Sequence, residues 1–113
     1  MIVCPPTSDC FKLTESGKVC SHGSTVAVTN VILTSILIGT DKTNDPQITA
    51  YNGEDANGQE IVPTNTYDAS ALGMNGFILY YGKRCPSGIY VAISITAGDV
   101  EVVVDYCPFG RVQ

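Results

Sequence analysis

The run from Gly88 to Tyr106, GIYVAISITAGDVEVVVDY, constrains the fold more than any other part of the chain. Ile89, Val91, Ile93 and Ile95 alternate with Tyr90, Ala92, Ser94 and Thr96. Beyond Ala97-Gly98-Asp99 the alternation resumes at Val100, Val102, Val104 and Tyr106. Side chains that share a direction every second residue belong to β-strands, and the glycine and aspartate between them form a turn, so a two-stranded hairpin is expected. Its apolar face needs a second sheet or a neighbouring subunit to cover it. Ile89, Val91, Ile93, Ile95, Val100, Val102 and Val104 are therefore the expected core set.

The rest of the chain reads as strands cut by turns. Lys18 to Ser21 fits a short edge strand. Thr25 to Ile38, TVAVTNVILTSILI, is the longest apolar run, rich in β-branched residues and apolar on both faces, which suits one central strand or two with a bend near Asn30. Gly39 to Pro46 reads as loop. Gln47 to Tyr51 is a strand with Ile48 and Ala50 on one side, and Gln59 to Val62 a brief one stopped by Pro63. Thr64 to Asn75 is a polar loop and Phe77 to Tyr81 another strand; Lys83 to Gly88 then turns the chain into the terminal hairpin. Three Asn-Gly pairs, at Asn52, Asn57 and Asn75, punctuate a meander rather than a helical chain. The count reaches about seven strands, the usual number for a small two-sheet sandwich. The expected fold is all-β: a single-domain antiparallel β-sandwich or jelly roll over residues 17–113, with an extended N-terminal arm over residues 1–16.

Charge excludes some partners. With Lys+Arg 6 against Asp+Glu 11 the net charge is -5, the wrong sign for following a phosphate backbone, so nucleic acid is not expected as a ligand. Charged residues make up only 15% of the chain, which leaves little to coat a free surface and hints that a partner covers part of it. MIVCPPTSDC has neither a basic segment nor a long apolar one, and no apolar run approaches the roughly 20 residues that span a bilayer. Synthesis in a cytosol without a membrane stage is the expectation.

No catalytic set, metal or cofactor is expected. His22 is the single histidine, and a Ser/His/Asp set would need a remote Asp99 or Asp105 with no nucleophile motif around the serines. Glu54-Asp55 reads as a solvated loop tip. Glu101 and Asp105 share a strand face about 13 Å apart, too far for a glycosidase pair, and read as the wet face of an edge strand. Gly53 to Gly58 offers oxygen ligands but lacks the alternating pattern and distal glutamate of a calcium loop. Of the five cysteines, Cys4, Cys10, Cys20, Cys85 and Cys107, no two form a C-x-x-C pair, and only Cys20 and His22 are close enough to share zinc locally. They are either small buried hydrophobes or thiols oxidised after release, with Cys20–Cys107 the favoured pair within one chain and Cys4 or Cys10 free to cross-link a neighbour. Tyr80, Tyr81 and Tyr90 suggest a sugar-stacking platform, or caps on a core or interface.

The opening Gly17-Lys18-Val19, the long apolar strand through Ile38, the segment Ile48 to Gly53 (ITAYNG) and the closing glycine-and-valine pattern from Gly88 to Tyr106 together resemble small β-sandwich virion proteins of tailed bacteriophages. The resemblance implies a non-enzymatic structural protein located in the virion and made in the host cytoplasm. It implies a capsid decoration or cement protein that binds the major capsid protein, or else a neck or tail accessory bound to other virion proteins. It also implies a symmetric homo-oligomer, a trimer being favoured. A carbohydrate-binding or adhesion module is the alternative from another class. The arm residues Val3, Cys4, Pro5, Pro6, Cys10 and Phe11 are the expected partner-binding segment, because Pro5-Pro6 stiffens an extended chain that has no amphipathic pattern of its own.

Overall fold

The computed structural model describes residues 9–21, 24–73, 76–96 and 98–109. Within them lie eight strands and one helical turn: β1 (Asp9–Leu13), β2 (Gly17–Lys18), β3 (Val31–Thr40), β4 (Gln47–Asn52), β5 (Gln59–Thr66), α1 (Ala69–Leu72), β6 (Gly76–Cys85), β7 (Ile89–Ser94) and β8 (Val100–Pro108). Two four-stranded antiparallel sheets form, in the orders β1-β8-β3-β6 and β2-β7-β4-β5. First pairs with last, second with seventh, third with sixth and fourth with fifth. The chain is thus a long hairpin folded at the β4–β5 turn and rolled into two layers, which is a jelly roll.

Alternation builds the core. Leu33, Ile36 and Ile38 on β3, Val100, Val102 and Val104 on β8, Ile48 and Ala50 on β4, and Ile89 and Val91 on β7 are all buried and belong to one apolar cluster. Ile93 and Ile95 are half-buried against it, so the expected inward set is inward throughout. Tyr106 ends the β8 series; its hydroxyl faces the Cys20 carbonyl at 3.4 Å and Asp9 Oδ2 at 3.5 Å. Desolvation, then the Asp9 carboxylate, pushes that phenol up to about 12.

The terminal hairpin is not formed. β7 pairs with β4 and β2, whereas β8 pairs with β3 and β1, so residues between Ser94 and Val100 cross from one sheet to the other. Two strands of equal apolar period can cover each other across a core as well as side by side, and the crossing lets each bury its face against the other's sheet. β8 is consequently a central strand, and Glu101 and Asp105 do not lie on an edge. The polar loop expected from Thr64 begins later, because β5 runs through Pro63 to Thr66; β5 is an edge strand, where a missing N–H is tolerated. The bend near Asn30 is real, with φ at 53° just before β3.

Residues 9–13 of the expected N-terminal arm, 1–16, form a strand of the sandwich instead. Asp9–Leu13 runs antiparallel to Val102–Tyr106, Leu13 is buried in the core and Phe11 packs against it. Cys10 and Phe11 therefore belong to the sandwich, while Val3, Cys4, Pro5 and Pro6 lie outside the described residues. The short sequence DCFKL alternates like the other strands, but it is one pair of apolar residues long and gains its identity only from β8. Replacing Val102 with Asp should place an unpaired carboxylate in the centre of this core and cost on the order of several kcal/mol. Circular dichroism and chemical denaturation of Val102→Asp should find it unfolded or much less stable; a variant as stable as the parent would show the inward face to be assigned wrongly.

Candidate interaction surface

The outer face of the β1-β8-β3-β6 sheet carries three of the five exposed large hydrophobic side chains among the described residues. Alternation sends Leu37 outward from β3, Val103 from β8, and Ile78 and Tyr80 from β6, and Leu37, Ile78 and Tyr80 are 43%, 51% and 76% exposed. Gly39 sits between Gly76 on β6 and Glu101 on β8. Two neighbouring positions without side chains leave an open groove of about 440 Å³, walled by Leu37, Val100 and Val103 and rimmed by Asp41, Asp99 and Glu101. Lys12 on β1 forms an exposed ion pair with Glu101 at 3.5 Å, which at such exposure adds little stability.

The acidic rim is organised by Asp41. Its carboxylate accepts the Thr43 hydroxyl, the Thr43 N–H at 3.0 Å and, from the crossing between β7 and β8, the Asp99 N–H at 3.0 Å. Asn44, almost fully buried, donates from Nδ2 to the Asp99 carbonyl at 3.3 Å. Gly98 passes so close that a Cβ there would lie 2.6 Å from Asp41 Oδ2, and its φ of 71° suits glycine. These bonds, led by the Thr43 hydroxyl, hold the Asp41 carboxyl below its ordinary value of 3.8. Asp45 is lowered likewise by the Ser70 N–H and hydroxyl, which fastens α1 to the loop before β4.

The residues singled out in the sequence are dispersed. Tyr80 points outward from β6, whereas Tyr81 points inward and packs on the core, and Tyr90 lies on the other sheet, so the three make no platform. Tyr90 instead pairs with Tyr51 on the outer face of the β2-β7-β4-β5 sheet, ring centroids 6.2 Å apart, close to hydrogen-bonded hydroxyls of Thr49 and Thr64. That pair is invisible without the β4–β7 register, which sets Tyr51 opposite Tyr90. Asp105 accepts the Ser35 hydroxyl at 2.7 Å, and Glu54 forms an exposed ion pair with Lys18 at 3.5 Å. Asp55 Oδ1 accepts the Asn57 N–H at 2.9 Å, as in a solvated turn. His22 lies outside the described residues. Among those described, no three His, Cys, Asp or Glu side chains gather in a metal-binding group.

The favoured Cys20–Cys107 pair is not made. Cys20 is a free, buried thiol, whereas Cys107 is disulfide-bonded, though not to Cys10, Cys20 or Cys85, which are all free. The physical reason lies in the pleat: Tyr106 faces the Cys20 carbonyl from inside the sandwich, so its neighbour Cys107 projects from the other side of β8. Cys85 is fully buried, its thiol pushed up by desolvation, and serves as a packing residue. Cys10 is exposed on β1, and Cys4 lies outside the described residues. Compared with known proteins, the chain matches no family model and no curated sequence.

The Asp41 contacts have a pH signature. A carboxyl held below 3.8 in the folded chain stabilises it at pH above its unfolded value, and that contribution is lost as pH falls through the folded value. Asp41→Asn should therefore be less stable than the parent at neutral pH, with the gap between the two closing below about pH 4. Denaturation midpoints measured at both pH values check this. An equal gap at both would mean that the carboxylate charge plays no part.

Proposed function

We propose that this protein is a non-enzymatic structural component of a phage particle, a decoration protein that clamps neighbouring major-capsid subunits. The observation that carries the reading is the open apolar groove around Gly39 and Gly76, on a chain with only 15% charged residues. Leu37 and Val103 would take an apolar side chain of a capsid subunit, and the carboxylates of Asp41, Asp99 and Glu101 would orient a basic or hydrogen-bond-donating segment beside it. The jelly roll agrees with this reading, being an architecture of viral capsid domains, although lectins and enzymes use it too. The resemblance to small virion proteins points the same way. Many weak contacts repeated by symmetry would brace the shell.

A neck or tail position uses the same surface with fewer copies. Copy number separates the two, since hundreds per particle mean shell and about six or twelve mean neck or tail. The carbohydrate-binding alternative now rests on Tyr51 and Tyr90 rather than on Tyr80, Tyr81 and Tyr90, because only the former two are neighbours. Binding on a glycan array that disappears in Tyr51→Ala would favour it.

Leu37→Glu places a charge in the groove at a position already 43% exposed, so the fold should survive. Its affinity for purified particles in a co-sedimentation assay should fall at least tenfold, the size of a lost interface anchor. Unchanged binding by a folded Leu37→Glu protein would exclude the groove as the docking site.

A further inference from the structure

A jelly roll has four edge strands, and three of them here are protected against pairing with another chain. β2 is two residues long, β1 carries Asp9 and an outward Lys12, and β5 carries Glu60, Pro63 and two register shifts. β6 carries such devices only toward its C-terminal end, where Lys83 and Arg84 lie and its pairing with β3 shifts register between Tyr80 and Lys83. It is ten residues long, contains no proline, and is uncharged from Gly76 to Gly82, with Phe77-Ile78-Leu79-Tyr80-Tyr81 at its centre. One edge is bonded to β3, and no backbone hydrogen bond from its other edge is found among the described residues. Its outward side chains, Ile78 and Tyr80, include the most exposed large apolar residue described, Tyr80 at 76%.

We propose that β6 pairs antiparallel with β6 of a second copy of this chain, joining two four-stranded sheets into one of eight strands. The distribution of charge selects a second copy. β6 begins beside Asp41 and Asp99, which line the groove with Gly76, and ends at Lys83 and Arg84. Glu101 adds to the first end while Lys12 and Lys42 subtract from it, so that end remains net negative; Asp105 and Asp9, two and three strands in from the edge, subtract from the second end, whose charges on β6 itself are both positive. An antiparallel mate turns the basic end of each copy toward the acidic end of the other, whereas a parallel one would set like ends together. The two-fold axis stands perpendicular to the sheet, so Ile78 and Tyr80 of both copies cover each other on one face. Both grooves then open on the same side. The pairing requires only the chain itself and does not depend on where the protein assembles.

Sedimentation of the full chain without particles tests it. The parent should be a dimer; the double variants Ile78→Lys with Tyr80→Lys, and Ile78→Glu with Tyr80→Glu, should each dissociate at least tenfold more readily while keeping the parent's circular dichroism spectrum. Mixing the two should restore a heterodimer, because opposite charges then meet across the axis. If either variant fails to fold, hydrogen exchange of the parent at two concentrations replaces it, with amides between Phe77 and Tyr81 slowing as concentration rises. A monomeric parent at high concentration, a trimer, or a dimer indifferent to these substitutions overturns the proposal. A monomer that still coats particles overturns this pairing and leaves the decoration reading standing; a β6 dimer that ignores particles does the reverse.

Discussion

The fold depends on one constraint: β7 and β8 carry the same two-residue apolar period, yet each buries its face in a different sheet. Val100, Val102 and Val104 look into the sandwich from one layer while Ile89 and Val91 look in from the other. A shift of one residue in either strand would turn its valines and isoleucines to solvent, so the register is strongly specified. Central placement follows, since β8 has β1 and β3 on either side and β7 has β2 and β4. The crossing between them must then be held at both ends. Asp41 holds one end through the Asp99 N–H, and Ser16 holds the other, its hydroxyl accepting the Ile93 N–H at 2.7 Å.

This arrangement also decides what is left exposed. A central β8 turns Val103 outward beside Leu37, and the missing side chains of Gly39 and Gly76 open a groove there. Neither glycine belongs to a turn or has a positive φ, and a Cβ at Gly76 would meet only the Ile38 carbonyl oxygen, at an ordinary 3.9 Å. A groove walled by apolar residues and rimmed by carboxylates suits contact with another protein better than it suits solvent. The opposite face of the sandwich has a different character, with the paired rings of Tyr51 and Tyr90 and a hydrogen bond between the hydroxyls of Thr64 and the buried Thr49.

Strands and their inward faces were legible in the sequence wherever the alternation ran for six residues or more, as in β7 and β8, and the bend at Asn30 was legible from the turn preference of asparagine. Partner choice was not. Periodicity states which side of a strand is buried but not against which sheet, so it suggests a terminal hairpin and an edge position for β8 where the pairing shows neither. Phe11 and Leu13 are too few to declare a period, which hides β1, and Pro63 hides the length of β5 because an edge strand tolerates a proline that a central one does not. The surface was harder still: Leu37, Val103, Gly39 and Gly76 are dispersed along the sequence and meet only through the pairing of β3 with β6 and β8. The same holds for Tyr51 and Tyr90. The cysteine pairing failed for a geometric reason, since adjacent residues on β8 face opposite ways.

The central claim is that the outer face of the β1-β8-β3-β6 sheet is where the protein meets the particle. Comparing hydrogen exchange of the free chain with that of the particle-bound chain tests it most directly. The account predicts that added protection concentrates on residues from Leu37 to Asp41 and from Asp99 to Val103, while the segments carrying Tyr51 and Tyr90 exchange as before. Protection of the tyrosine face with the groove unchanged would contradict it.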